Sequence, residues 1–265
     1  MYAALLLAFL PFQETPDQVD LNIDGFRFTP GKQSVGTVYH YKKSNIDGST
    51  PSHVDLYIAS ETRIESFKYH EGGSEATLVT AEMDWKTFSV GTFTTHKLQA
   101  DGTRRKLGTL QAKGSRLHGK LNSSSFIVEV KSFPWHTYDF DLASLNVSLR
   151  YLTDPEGSVQ VNMIDQVRGL FTDKGFVELF YLGDEKRAGV PCRHYNLDGP
   201  GLNDRGGELW VRKGEDPVIV DYEIDLPDES SMRSGKLLLV STETLSKQSW
   251  TQHLAAALAP EIQAR

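Results

Sequence analysis

Short apolar–polar alternations separated by turn signals run along most of the chain, which is the pattern of an antiparallel sheet. Residues 53–59 alternate cleanly: Val54, Leu56 and Ile58 on one face, His53, Asp55 and Tyr57 on the other. Residues 36–43 read as the partner strand, joined to it through the turn at Asn45 and Gly48. Runs at 64–69, 76–83 and 88–98 continue the series, with Gly72-Gly73 and Asp101-Gly102 as hairpin breaks. Three shorter runs follow at 106–111, 116–121 and 126–130. After an interruption, strands resume at 159–164, 175–182, 192–197, 207–212, 218–226 and 235–242. In 218–226 the pattern assigns Val218, Val220, Tyr222, Ile224 and Leu226 to a dry face and Ile219, Asp221, Glu223 and Asp225 to a wet, acidic one.

The interruption reads as a helix over 141–153. Asp141 is placed to cap it, Leu142, Leu145, Leu149 and Leu152 form its apolar stripe, and Asp154-Pro155 stops it. A second, C-terminal helix and a tail are expected over 246–265. Ser249 and Gln252 resemble a capping box, Trp250, Leu254 and Leu258 form the apolar side, and Pro260 ends it. No strand–helix–strand alternation appears, so the sheet is expected to be antiparallel throughout. The fold class is therefore mostly β: one large curved antiparallel sheet, a half-barrel or open barrel, spanning 21–245. Its helices are expected to cover the concave face or an open edge.

Composition narrows the function classes. The chain has 265 residues and a net charge of −7, which argues against general nucleic-acid binding. The one tight basic run, Arg104-Arg105-Lys106, sits beside a turn and reads as a solvated hairpin tip. A single cysteine excludes an internal disulfide framework and any multi-cysteine metal site. No run of 18 apolar residues exists, so a transmembrane helical bundle is excluded. Residues 3–12 form a short apolar run ended by Pro11 and Phe12, with the length of a secretory signal core. It lacks a basic residue before it and a small-x-small site after it. Residues 1–20 are therefore read as a signal peptide, giving a periplasmic or otherwise exported protein, or else as an apolar segment docked on the domain.

The densest chemistry lies at residues 133–140. Trp135, Tyr138 and Phe140 offer apolar surface, and His136 and Asp139 offer polar contacts, as at a ligand mouth. The same residues would equally serve to pack a helix start into the core, which is the commoner use of such aromatics. Trp210 and Tyr222 join Trp135, His136, Tyr138 and Phe140 as candidate ligand-contacting residues. Cys192 and His194 share a strand face, but no orienting group or oxyanion site accompanies them, so no catalytic residue is assigned. The eight histidines are scattered, with no pair at helical spacing. A histidine–carboxylate metal site would have to assemble from distant strands, and no positive sign of one is present. No cofactor is implied. The glycine-rich stretch 199–207 lacks the features of a phosphate cradle and reads as a hairpin turn.

Gly207-Glu208-Leu209-Trp210-Val211, a short turn and then residues 219–224 resemble a hairpin in bacterial exported proteins of the lipoprotein-carrier-like, half-barrel type. The order of many strands, an internal helix and a late helix is similar over residues 31–242. The resemblance implies an acyl chain or other apolar ligand held in the hollow of the half-barrel. Three readings follow: an envelope protein binding an apolar ligand or a partner chain, an envelope scaffold without a ligand cavity, and an enzyme using His136, Asp139, Cys192 or His194.

Overall fold

The computed structural model describes residues 22–101, 103–167, 170–225 and 233–258. The expected signal segment, the Pro260 helix stop and Leu226 lie outside them. The chain begins with a small hairpin, β1 (Asn22–Ile23) and β2 (Phe26–Arg27). Eight strands then follow one another: β3 (Thr37–Ser44), β4 (Ser52–Ile58), β5 (Arg63–Tyr69), β6 (Glu75–Asp84), β7 (Ser89–Gln99), β8 (Arg104–Lys113), β9 (Arg116–Leu121) and β10 (Ser124–Glu129). A two-residue strand, β11 (Trp135–His136), leads into helix α1 (Ala143–Ser148), which 3-10 turns flank at Tyr138–Phe140 and Leu149–Tyr151. Six strands complete the sheet: β12 (Ser158–Val167), β13 (Leu170–Arg187), β14 (Val190–Asp198), β15 (Gly207–Arg212), β16 (Ile219–Asp225) and β17 (Ser234–Thr244). Helix α2 (Lys247–Ala256) ends the described chain.

All strands from β3 to β17 belong to one 15-stranded sheet. It consists of two meanders, β3 to β10 and β12 to β17, joined where β17 pairs with β3. Every pairing is antiparallel except β11 with β12, which is parallel. That exception departs from the fully antiparallel expectation. A sheet this wide curls to bury a face, and its far ends meet: Phe126 of β10 stacks on Phe171 of β13, with ring centroids 5.4 Å apart. Phe126 reaches that position by lying across Gly119 of β9, its register partner, where any Cβ would collide with the ring.

The inner face carries the main core, with Tyr39, Tyr41, Leu56, Ile64, Tyr222 and Ile224 among its buried residues. The hollow it encloses is filled by the chain itself. Trp135, Phe140, Leu142, Leu145, Val147, Leu149 and Tyr151 all belong to that core. Helix α1 is buried on every side, Ser144, Asn146 and Ser148 included. This corrects the amphipathic reading, because no face of α1 meets water. Its polar residues are placed by specific bonds. The Asn146 amide donates to the Tyr41 hydroxyl at 2.9 Å and accepts from the Ile219 backbone N–H at 2.8 Å. Tyr41 in turn donates to the Ile219 carbonyl at 2.9 Å. Gln33 donates to the Val147 carbonyl at 3.2 Å, and Arg150 donates to the Lys32 carbonyl at 3.1 Å.

Asp141 does not cap the helix. It adopts φ 49° and Leu142 φ 55°, both left-handed, and Leu142 occupies the N-cap position without a side-chain bond. The Asp141 carboxylate instead binds the ammonium groups of Lys43 on β3 and, at 3.1 Å, Lys68 on β5. Burial alone would raise this carboxyl, but the charges of Lys43 and then Lys68 outweigh it and hold it below the ordinary carboxylate value.

Two further expectations are corrected. The bulge between Trp210 and Val211 leaves Val220 as the extra residue of β16. Strand phase shifts there: Ile219 joins the main core, while Val220 packs outside with Cys192 and Trp210. The acidic side is only partly wet: Asp225 is exposed and Glu223 half-buried, but Asp221 is buried, with Arg187 Nε 2.7 Å from its carboxylate. Burial pushes the Asp221 carboxyl above its ordinary value. Ser246, rather than Ser249, caps helix α2, accepting from the Ser249 N–H at 3.1 Å. It covers neither the hollow nor an open edge. Trp250, Leu254 and Leu258 pack on Val38, Tyr57, Phe67 and Leu78, which alternate with inner-face residues and so form the outer face.

Two predictions follow from this architecture. Asp141→Asn strands two ammonium groups and should cost about 3–5 kcal/mol in denaturant unfolding at neutral pH. Because the folded carboxyl is depressed, its contribution is fully present above the unfolded value of about 3.9 and is lost as pH falls through the lower folded value. Unfolding measured across that acid range should show this loss in the wild type and a flatter profile in the variant. Gly119→Val should displace Phe126 and cost about 1–3 kcal/mol; an unchanged unfolding midpoint would show that the Phe126–Phe171 contact is dispensable.

Candidate functional site

With residues 133–152 inside the sheet, the space left on the inner face is small. It is a pocket of about 210 Å³ at the open end, where the rows of β6 to β9 approach β13. Val79, Thr95, Gly108 and Leu121 form one cross-strand row of its wall. Phe93 and Thr77 flank that row, and Phe171 closes the pocket from the other end of the sheet. The wall is mixed. Val79, Phe93, Leu107, Leu121 and Phe171 supply apolar surface, Thr77, Thr95 and Thr109 supply polar positions, and Lys120 adds a charged residue. Gly108 leaves the space that a side chain would take: a Cβ there would stand 3.2 Å from the Leu121 Cδ1.

A wider, shallower groove of about 880 Å³ crosses β7 to β10. Thr92, Gln111, His118 and Ile127 form one of its rows, and Thr94, Thr109, Lys120 and Ser125 another. By strand alternation both rows face away from the row of Phe93, Leu110, Gly119 and Phe126 between them. The groove is therefore a threonine-rich concavity of mixed character, to which Phe93, Leu110, Phe126 and Ile127 also contribute.

The candidate ligand-contacting residues lie elsewhere. Trp135, His136 and Phe140 are fully buried around α1, and Tyr222 is enclosed in the same core. Tyr138 packs against that core as a partly buried residue. Trp210 lies on the opposite face, with His194 stacked on one ring contact at 4.7 Å and the Arg187 guanidinium 3.9 Å from its centroid. None of these lines the inner pocket or the outer groove.

The groups named for an enzyme are also dispersed. His136 Nδ1 meets the Ser144 hydroxyl at 2.9 Å, and burial lowers its imidazole to about 3, so it is neutral. Cys192 donates to its own strand at the Val190 carbonyl, 3.3 Å away, and burial pushes the thiol up, away from the reactive thiolate. His194 lies 3.4 Å from Glu185. The side chain of Asp139 lies outside the described residues.

One convergence escaped the sequence reading. His40, Asp55 and His253 meet on the outer face, where β3, β4 and α2 join. His40 and Asp55 are register partners, so pairing the strands 36–43 and 53–59 would have brought them together. His253 arrives from a helix whose docking site carries no local signal. Among the described residues no helix is long and apolar enough to cross a membrane.

No protein-family model matches the chain, and no curated protein sequence does. Among solved structures the chain is similar to a β-barrel-like protein of domain of unknown function DUF1849 from Brucella abortus. Identity is 9%, coverage is 80% of this chain and 99% of that one, and the TM-score is 0.46. It is similar to a DUF1329 family protein from Desulfovibrio piger at 10% identity, with 80% and 87% coverage and a TM-score of 0.29. It is also similar to a domain from Vibrio parahaemolyticus assigned to outer membrane lipoprotein sorting, at 9% identity, 83% and 90% coverage and a TM-score of 0.21.

Proposed function

We propose that the protein is a non-enzymatic binder of a small apolar group, such as the end of an acyl chain, and that it acts in the cell envelope after export. The inner pocket of about 210 Å³ carries this reading. Its volume is below the roughly 300–1,000 Å³ of drug-sized ligand sites but above the ~150 Å³ cavity that accepts benzene. Such a space holds a chain end rather than a whole lipid, and the rest of an amphiphile would remain at the mouth. The apolar run at residues 3–12 supports export.

A second reading, an envelope interaction protein, is favoured by the outward stripe on β13. There Phe176, Phe180 and Leu182 are 41%, 55% and 52% exposed.

Titration with saturated fatty acids of increasing length, read by native mass spectrometry, tests the first reading. The wild type should bind one molecule, and Thr95→Leu, which fills the pocket, should weaken binding at least about tenfold without lowering the melting temperature. Phe180→Asp should leave fatty-acid binding intact. A wild type that binds no fatty acid, or a Thr95→Leu variant that binds normally, would rule the pocket out.

A further inference from the structure

We propose that His40, Asp55 and His253 form a binding site for one first-row divalent cation, zinc being the probe of choice, which ties helix α2 to the outer face of the sheet. The ligand atoms, His40 Nδ1, an Asp55 carboxylate oxygen and His253 Nε2, all lie within 4.8 Å of one another. They come from three elements whose positions are fixed independently. His40 and Asp55 face each other across β3 and β4. His253 is held by α2, its ring stacked on Trp250 at 5.4 Å and edge-on to Phe67 at 6.4 Å. Strand pairing brings His40 to Asp55, and the packing of Trp250 and Leu254 brings His253 to both.

The surrounding carboxylates fit the assignment. Asp55 sits between the imidazoles, with His40 Nδ1 2.7 Å from one oxygen and His253 Nε2 2.7 Å from the other. The second ring nitrogen of His40, Nε2, is 3.0 Å from the Glu243 carboxylate. Both nitrogens of His40 therefore face carboxylates. Without an ion, N–H groups on both nitrogens can satisfy them; with a divalent cation on Nδ1, Nε2 keeps its proton and donates it to Glu243. That is the outer carboxylate–histidine–metal arrangement that orients ligating imidazoles. Charge also balances, since two carboxylates, Asp55 and Glu243, match one divalent ion.

The donor set specifies the class of ion. Two imidazoles and one carboxylate suit zinc and its first-row neighbours, whereas magnesium and calcium prefer all-oxygen sites. Three protein ligands leave a fourth position for water. Solvent reaches it, because the His40 and His253 side chains are 19% and 26% exposed while that of Asp55 is 2%. Ligand atoms around zinc stand about 2.0–2.1 Å from the metal, hence roughly 3.3 Å apart in a tetrahedron. The contacts seen here need to open by about half an ångström, within reach of small side-chain rotations.

The test uses the full chain without a histidine tag, freed of metal by chelation. Titration with cobalt(II) alone should give visible d–d absorption that saturates at one equivalent, and zinc should displace it and raise the melting temperature. His40→Gln and His253→Gln, the latter on the helix surface, should each weaken cobalt binding at least about 100-fold, and Glu243→Gln about tenfold. His53→Gln, on the same strand as Asp55, serves as the control and should bind normally. A wild type without the cobalt spectrum overturns the proposal. So does a spectrum that persists in both His40→Gln and His253→Gln, and either result leaves the three residues as a proton-bridged clamp.

Discussion

A sheet of 15 strands that curls on itself creates a hollow lined by apolar side chains, and that hollow cannot be left to water. This chain fills it with residues 133–152, and the rest of the structure follows from that choice. The filling is specified by polar groups rather than by shape alone. Asn146 joins α1 to β3 and β16 through Tyr41 and the Ile219 backbone. Asp141 joins the start of the same segment to β3 and β5 through Lys43 and Lys68. Each of these groups would be left unpaired in a dry interior if the segment moved out, at a cost of about 1–3 kcal/mol per neutral group and more for the charges. Leu142 is held in a left-handed conformation by the same anchoring.

The consequence for function is a division between the two faces. Inside, α1 is part of the core, and among the described residues the end pocket between Val79, Leu121 and Phe171 is the space proposed for a ligand. Outside, α2 packs by Trp250 and Leu254 and brings His253 to the His40–Asp55 pair. The two faces share strands but not side chains. The binding proposed at the end pocket and the cation site proposed under α2 are therefore separable, and neither requires α1 to open.

Much of this was legible in the sequence, because a strand's side-chain period of two is a strong signal. The alternation of Val54, Leu56 and Ile58 matches the inner face of β4, and the Gly207–Val211 and 219–224 runs form the β15–β16 hairpin. What failed had physical causes. The alternation could not show what lies over the face of His53, Asp55 and Tyr57: Tyr57 stacks under Trp250, on a helix arriving from nearly 200 residues away. The acidic side of β16 looked wet, but Arg187 from the end of β13 and Lys236 from the adjacent β17 cover Asp221. One bulge residue, Val220, reversed the faces of the strand's first half. Asp141 has the composition of a helix cap, and only the approach of two lysines from other strands shows that its carboxylate is used elsewhere. The rim pocket was illegible for the same reason. It depends on Gly108 and Phe171 meeting across the ends of the sheet, and no local pattern records that meeting.

The central claim is that the internal segment is fixed core and not a lid over a ligand-holding hollow. Native-state hydrogen exchange of the α1 amides measures this directly. The account predicts that the Leu145 to Ser148 amides exchange only through global unfolding, with the same free energy and denaturant dependence as the amides of β3 and β4. Exchange of α1 by a separate, low-energy opening while β3 and β4 stay protected would contradict it, and would restore the hollow as a ligand site.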